Sequence, residues 1–248
     1  MTQKTEVRFA PGGTDPIWSA DGRRVIWRTA DIVGGGLRLF SQPSDGTATA
    51  EELIGPQLVA PYSAVPDGRR LIVRLDGAET GVDIGMVSLV GERTVTPLIR
   101  TPFDERNAEI SPDGRWLLYE SSESGQPEIY VRPFPAVDTG RWQVSTTGGR
   151  WPVWARNGRE IFFRALDGAV TGVPIEITAG SSVRIGTAVR LVGPRYLAGG
   201  AANREYDVSP DGKRFLMIKE GTGAEDASAP PQLVVVQHFD EELKRLVP

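Results

Sequence analysis

The sequence predicts an all-β fold, a five-bladed β-propeller, from the repetition and chemistry of one short motif. The motif occurs five times, at residues 18–24, 64–70, 110–116, 154–160 and 208–214, as WSADGRR, AVPDGRR, ISPDGRW, WARNGRE and VSPDGKR. The Asp or Asn before its glycine, here called the turn residue, lies at positions 21, 67, 113, 157 and 211, so successive copies are 46, 46, 44 and 54 residues apart. A period of about 40–50 residues is that of a four-stranded propeller blade. Glycine (29) and proline (19) are also frequent among the 248 residues, which indicates many turns.

Each element of the repeat has a local chemical reason. Asx-Gly is a tight-turn pair, because glycine accepts a positive φ and proline before it presets the turn. β-forming residues follow each turn and predict second strands that begin at Val25, Leu71, Trp116, Ile161 and Phe215. Third strands are expected at Leu37–Phe40, Ile84–Leu89, Glu128–Phe134, Val170–Ile177 and Leu233–Phe239, and weaker fourth strands at Glu51–Ile54, Thr94–Ile99, Arg141–Ser145 and Ala188–Leu191. Trp18 and Trp154 lie three residues before their turn residues, where other repeats have aliphatic residues, which predicts packing between blades.

The chain is interpreted as a single domain over residues 1–248, with repeats at about 14–56, 57–102, 103–147, 148–197 and 198–239. The last repeat has no obvious fourth strand. Thr5–Phe9 is strand-like, and we expect it to supply the outer strand of the last blade and so close the ring. Residues 240–248 are a C-terminal tail. A six-bladed or incomplete propeller is the alternative.

Composition and charge exclude several classes of function. The formal net charge of -4 argues against binding nucleic acid through overall charge. Cysteine is absent and His238 is the only histidine, which excludes disulfides, thiolate catalysis and multi-histidine metal sites. No apolar stretch is long enough for a transmembrane helix, and the N-terminus lacks the apolar core of a signal peptide. The chain as given is therefore expected to stay in the cytoplasm. We also expect it to be a monomer and to need no cofactor.

The repeat from Asn107 to Pro135, NAEISPDGRWLLYESSESGQPEIYVRPFP, resembles the TolB-type family of WD-like β-propeller repeats. The resemblance extends over nearly the whole chain, from Thr14 to Phe239. The ending HFDEELKRLVP is similar to propeller regions that follow a bacterial protein kinase or winged-helix domain. The resemblance implies a propeller fold and a role in sensing or scaffolding. It also implies relatives that are often extracytoplasmic. The sequence itself contains none of the motifs of a protein kinase.

Aligning the repeats on the turn residue brings several charged side chains to one level of the channel. Arg106, Arg150 and Arg204 lie seven residues before their turn residues, and Trp151 follows Arg150. Glu109 and Asp207 lie four residues before theirs. Since first strands line the channel of a propeller, we expect these six residues to form a ligand site at its mouth. Converging arginines are suited to binding an anion or a carboxylate.

Three other interpretations of these residues stay open. The arginines and carboxylates can simply neutralise each other along the channel. Asp15, Glu109 and Asp207 offer oxygen ligands to a cation, although no compact acidic loop is present and no metal is predicted. Glu109 and Asp207 can instead form the carboxylate pair of a glycoside hydrolase or a related channel enzyme.

The sequence thus predicts a non-catalytic binding or scaffolding module. Arginine and tryptophan together are typical of protein-binding hot spots, so a protein or peptide is the expected partner. A small anionic ligand is a further candidate, while nucleic acid and membrane insertion are not expected.

Overall fold

A computed structural model describes residues 7–8, 12–31, 36–57, 59–77, 81–178, 182–194, 204–218 and 234–235. Within these ranges the regular structure consists of β-strands, apart from one short 3-10 helix at Val137–Thr139. No helix of the described chain has the length and apolar character needed to cross a membrane.

The first described strand is β1 (Val7–Arg8), and three four-stranded sheets follow it in chain order. Sheet 1 contains β2 (Thr14–Trp18), β3 (Arg24–Asp31), β4 (Gly36–Pro43) and β5 (Glu51–Gln57). Sheet 2 contains β6 (Val59–Ala64), β7 (Arg70–Gly77), β8 (Gly81–Ser88) and β9 (Val95–Ile99). Sheet 3 contains β10 (Glu105–Ile110), β11 (Trp116–Ser121), β12 (Glu128–Pro133) and β13 (Trp142–Gln143). Each is an antiparallel meander in which sequence neighbours pair.

The remaining sheets depart from this pattern. Sheet 4 has five strands, β14 (Arg150–Trp154), β15 (Glu160–Arg164), β16 (Val170–Thr178), β17 (Ser182–Ile185) and β18 (Val189–Val192). Here β16 is long enough to pair with β17 along one half and with β18 along the other. Sheet 5 contains β19 (Tyr206–Val208) and β20 (Phe215–Met217). The last strand, β21 (Val234–Val235), pairs with β1 in a separate two-stranded sheet.

The repeated turn explains why the first two strands of every sheet form a hairpin. In sheet 3 the Gly114 N–H donates to the Ser111 carbonyl at 2.8 Å, and Gly114 has a φ of 74°. The Asp113 carboxylate accepts from the Arg115 N–H at 3.1 Å. The turn glycines of the other repeats, at positions 22, 68, 158 and 212, also have a positive φ. Glycine is required there because a side chain disfavours that conformation.

Consecutive sheets pack face to face, and a separate apolar cluster fills each of the four contacts. Residues of sheets 1 and 2, 2 and 3, 3 and 4, and 4 and 5 form these clusters. Five residues after each turn residue, Ile26, Ile72, Leu118 and Phe162 are all at most 2% exposed. This pattern of sheets stacked around a common centre is a propeller-type arrangement.

Over the described residues, the sheets do not close into the predicted ring. Leu216, equivalent to those four buried residues, is 59% exposed, and Trp18 is 50% exposed whereas the equivalent Trp154 is 4% exposed. The reason is that nothing in the described chain covers the outer face of sheet 5 or the facing side of sheet 1. The predicted closing strand Thr5–Phe9 is described only at Val7–Arg8, which pairs with Val235 and Val234. The tail 240–248 and His238 lie outside the described residues.

Candidate functional site

The first strands of all five sheets line one cavity of about 610 Å³. Strands β2, β6, β10 and β14 contribute consecutive residues to its wall, and sheet 5 contributes Arg204 and Asp207. Residues that are far apart along the chain therefore meet at one place, as the repeat predicted. This volume lies in the range of ordinary small-molecule pockets, about 300–1,000 Å³.

Three of the first strands are kinked at the same place. Asp15, Asn107 and Trp151 each lie six residues before their turn residue and have φ values of 52°, 53° and 51°. In each case the register with the second strand shifts at this point, so one residue bulges out of the ladder. A left-handed residue in a bulge re-aims the neighbouring side chains, and such bulges are common beside functional sites.

Arg204 links two carboxylates on the cavity wall. Its Nη1 lies 3.0 Å from Glu109 Oε2 in sheet 3, and its Nη2 lies 3.7 Å from Asp207 Oδ1. Burial raises the pKa of Glu109, while the charge of Arg204 opposes that rise. The Glu109 side chain is 25% exposed and that of Arg204 33% exposed, so a ligand that enters the cavity can reach both.

Glu120 on β11 joins the kinked residues of two neighbouring sheets. Its Oε2 accepts from Asn107 Nδ2 at 2.9 Å and from the backbone N–H of Trp151 at 3.3 Å. Arg150 Nη1 lies 3.8 Å from Oε1. Glu120 is 3% exposed, and burial raises its pKa, against the hydrogen bond from Asn107 and the charge of Arg150. This carboxylate thus holds the bulges of β10 and β14 together.

Trp151 is fixed on its other side by sheet 5. The Tyr206 hydroxyl donates to the Trp151 carbonyl at 2.7 Å, and both side chains belong to the cluster between sheets 4 and 5. Trp151 lines the cavity but is only 5% exposed. Its Nε1 is buried with no hydrogen-bond partner among the described residues, and so is Oδ1 of Asp15 across the cavity wall. Buried polar atoms without partners are uncommon in folded proteins.

The structure brings together four of the six residues predicted from the sequence. Trp151, Glu109, Arg204 and Asp207 line the cavity, whereas Arg106 and Arg150 do not. Arg106 pairs with Asp104 at 3.0 Å, and Arg150 lies nearest to Glu120. The three arginines therefore have separate carboxylate partners and do not form one cluster.

Sequence reasoning missed three arginines of the cavity wall. Arg28 and Arg74 both lie seven residues after their turn residues, a shared position that a second alignment of the repeats reveals. Arg28 Nε is in close contact with Asp15 Oδ2, and Arg74 Nη2 lies 2.6 Å from Asp76. Arg156 replaces the alanine or proline found directly before the other turn residues. It is exposed and forms no ion pair within the described chain.

The described wall carries four arginines and three carboxylates, so positive charge is in slight excess. The carboxylates are Asp15, Glu109 and Asp207, which are the oxygen ligands considered for a cation. In the described ranges no three His, Asp or Glu side chains come close enough to hold a metal ion. The chemistry of this wall therefore suits a ligand that carries negative charge together with hydrogen-bonding groups.

Comparison with solved structures identifies the class of fold as the β-propeller. The chain is similar to TolB from Acinetobacter baumannii with a TM-score of 0.56 and 18% identity, over 84% of this chain and 54% of that one. It is similar to a TolB protein from Agrobacterium tumefaciens with a TM-score of 0.54 and 19% identity, over 72% and 66% of the two chains. It is also similar to puromycin hydrolase, with a TM-score of 0.53 and 19% identity, over 80% of this chain and 34% of that one.

The resemblance to TolB-type repeats is thus confirmed at the level of the fold. The chain spans about a third to two thirds of the length of these structures. No family model matches the sequence, and no curated protein matches it either.

Proposed function

We propose that this protein is a non-catalytic binding module that holds a protein or peptide segment in its central cavity. The observation that carries the proposal is that the first strands of five sheets converge on one cavity whose wall has an excess of arginine. The fold of TolB-type propellers agrees with a binding or scaffolding role, although a fold alone does not define a function.

The ion pairs of the wall suggest how a ligand is bound. Arg204 is held between Glu109 and Asp207 and keeps a third of its side chain exposed. A ligand carboxylate that approaches this guanidinium replaces a partly solvated ion pair with a bidentate one, which is the geometry arginine favours. Arg156 at the exposed end of the wall adds attraction at longer range. An extended peptide with an acidic side chain or a free C-terminus fits these requirements.

Binding can be tested by fluorescence anisotropy with two labelled pools of random hexapeptides, one with free C-terminal carboxylates and one amidated. We expect the carboxylate pool to bind more tightly and Arg204→Ala to weaken that binding by about tenfold or more. Arg184→Ala is the matched control, because Arg184 is also ion-paired, to Glu176, but is 83% exposed on the edge of sheet 4. The proposal is wrong if neither pool binds, or if Arg204→Ala binds as well as the unchanged protein.

The same assay measures how much each of the three predicted arginines contributes to peptide affinity. Arg106→Ala and Arg150→Ala are expected to change peptide affinity little, because these side chains pair with Asp104 and Glu120 away from the wall. If either variant lost as much affinity as Arg204→Ala, the result would support the three-arginine site that the repeat alignment predicted.

The alternative function, a carboxylate-dependent glycoside hydrolase or related channel enzyme, has one observation in its favour. The pKa of Glu109 is raised by burial, as a general acid requires, and Asp207 lies on the other side of Arg204. Against it, Arg204 pairs with both carboxylates. Release of reducing sugar from unactivated oligosaccharides that is abolished by Glu109→Gln would favour the enzyme over the binding module.

We also propose that sheet 5 is a fifth blade, which β21 and β1 complete as its outer strands. In the other contacts between sheets, residues equivalent to Leu216 and Trp18 share one apolar cluster, as Leu118 and Trp154 do. Because the chain has no cysteine, Trp18→Cys with Leu216→Cys can be treated with a short bismaleimide. Cross-linking supports a fifth blade that packs beside sheet 1 in solution, and a yield no higher than that of Leu216→Cys with Val90→Cys, in the loop between β8 and β9, contradicts it.

A further inference from the structure

A second cavity, of about 380 Å³, lies between sheets 1 and 2 on the side of the repeated turns. Its deeper wall is apolar and is formed by Ile26, Leu53, Leu71 and Leu89. Arg24 and Arg70 lie at its edge, together with the turn residues Asp21 and Asp67. Exposed residues of the two turns, among them Ala20 and Asp67, line its outer part, so the cavity opens to solvent.

The equivalent place between sheets 2 and 3 is filled by the chain itself. Phe134 and Val137, which follow β12, are 6% and 4% exposed there and belong to the apolar cluster between these two sheets. The guanidinium carbon of Arg70 lies 4.9 Å from the centre of the Phe134 ring. This is a cation–π contact on a buried aromatic ring.

Backbone pairing establishes which residues are equivalent. The N–H of Leu89 donates to the Arg69 carbonyl as the N–H of Phe134 donates to the Arg115 carbonyl, so Leu89 has the place of Phe134 one sheet earlier. Ile26 pairs with Ser41 and Ile72 pairs with Met86, so Ser41 has the place of Met86. The turn and first strand give the same correspondence for Ser19 with Val65 and for Ala64 with Ile110.

At all four positions the residue beside the cavity is smaller than its equivalent between sheets 2 and 3. Ser19 replaces Val65, Ser41 replaces Met86, Ala64 replaces Ile110, and Leu89 replaces Phe134. The 3-10 helix that carries Val137 lies between β12 and β13, and the described residues between β8 and β9 of sheet 2 contain no such helix. The cavity is therefore the space that a phenylalanine and its neighbours fill in the next contact.

The arginine of the aromatic contact is nevertheless present. Arg24 is equivalent to Arg70. The Nε of Arg24 donates to Ser41 Oγ at 2.7 Å, and in the next contact Arg70 Nη1 lies 4.0 Å from Sδ of the equivalent residue, Met86. Its side chain is 36% exposed at the edge of the cavity. The positive guanidinium complements the negative face of an aromatic ring, which distinguishes this cavity from a purely apolar one.

We infer that the cavity between sheets 1 and 2 binds a phenylalanine-like aromatic side chain of a partner peptide, with Arg24 over the ring. Ser19, Ala20 and Ala64 line both this cavity and the central one, so a peptide in the central cavity can place a side chain here. Only the identification of the partner as a peptide rests on the proposed function. The aromatic preference rests on the comparison between the two contacts.

N-acetyl-L-phenylalaninamide is a suitable probe, and saturation-transfer NMR detects its binding at millimolar concentration. We expect saturation of its ring protons, and a signal about tenfold weaker for N-acetyl-L-valinamide. The double variant Ser41→Met with Leu89→Phe rebuilds the packing of the next contact and is expected to abolish the signal. Neither residue lines the central cavity. Circular dichroism verifies that the variant is folded.

The reverse substitution is the matched control. Phe134→Leu removes the ring between sheets 2 and 3 but leaves Val65, Met86 and Ile110 in place, so it is expected to create no second probe site beside Arg70. The inference is overturned if the unchanged protein gives no ring saturation, if the filled variant keeps it, or if the valine probe binds equally well. Arg204→Ala separates the two proposals, because it is expected to weaken the hexapeptides and leave the phenylalanine probe bound. Loss of both would show that the probe occupies the central cavity.

Discussion

Replacing Glu120 with alanine tests whether this buried carboxylate holds two neighbouring blades together. Glu120 is 3% exposed and accepts hydrogen bonds from the Asn107 side chain at 2.9 Å and from the Trp151 backbone at 3.3 Å. Alanine leaves both donors without their acceptor in a buried place. Both donors belong to left-handed residues, whose conformation the surrounding contacts must maintain.

The expected loss follows from these two contacts. Each buried donor that loses its partner costs roughly 1–3 kcal/mol, and removing a buried charge returns part of that. We therefore expect the free energy of unfolding to fall by about 3 kcal/mol. For a chain of this size such a loss lowers the melting temperature by about 6–12 °C.

Urea denaturation followed by tryptophan fluorescence measures this free energy, and thermal unfolding by circular dichroism measures the shift of the melting temperature. Glu176→Ala is the control, since Glu176 also pairs with an arginine but its side chain is 62% exposed. That control is expected to change stability by less than about 0.5 kcal/mol. A loss below about 1 kcal/mol for Glu120→Ala would refute the bridging role.

Three further predictions concern the same region. Burial raises the pKa of the Glu120 carboxyl above its ordinary value of 4.5, so the folded protein still holds this proton at pH values where the unfolded chain has lost it. The free energy of unfolding therefore falls as the pH rises above the ordinary pKa. Between about pH 4 and about pH 7, Glu120→Gln should lose less stability than the unchanged protein in parallel urea titrations. Tyr206→Phe removes the 2.7 Å hydrogen bond to the Trp151 carbonyl and should cost about 1–2 kcal/mol in urea, whereas an unchanged midpoint would show that the bond adds nothing. Gly149→Ala places a Cβ 2.8 Å from Ile129 and 2.9 Å from Phe163 and should cost about 1–3 kcal/mol, while Gly55→Ala, with only one neighbouring atom at 3.5 Å, should be nearly neutral.

The turns and strands were predictable because their causes are local. Asx-Gly at the turn residue fixes the hairpin, and the apolar residues after it define the second strand, as Leu117 and Leu118 do in sheet 3. The pairing of β17 with β16 was not predictable, because it depends on how far β16 extends beyond its turn.

The cavity was predictable as a place, but its wall was not. Alignment on the turn residue gives Arg106, Arg150 and Arg204 one repeat position. Arg106 pairs with the nearby Asp104, whereas Arg150 and Arg204 pair with Glu120 and Glu109 of sheet 3. The bulge in the first strand also re-aims these side chains, and a left-handed tryptophan at position 151 has no sequence signal. Such choices depend on neighbours that are far away in the chain.

The face-to-face stacking of sheets has a consequence for synthesis on the ribosome. Each of sheets 1 to 3 is made of one continuous stretch of chain, and its apolar face packs on the sheet that precedes or follows it. A nascent chain can therefore complete one module and add the next to it as residues emerge, without waiting for the C-terminus. The last module, two short strands with Leu216 exposed, is then the unit most ready to detach, and amide exchange should be fastest there.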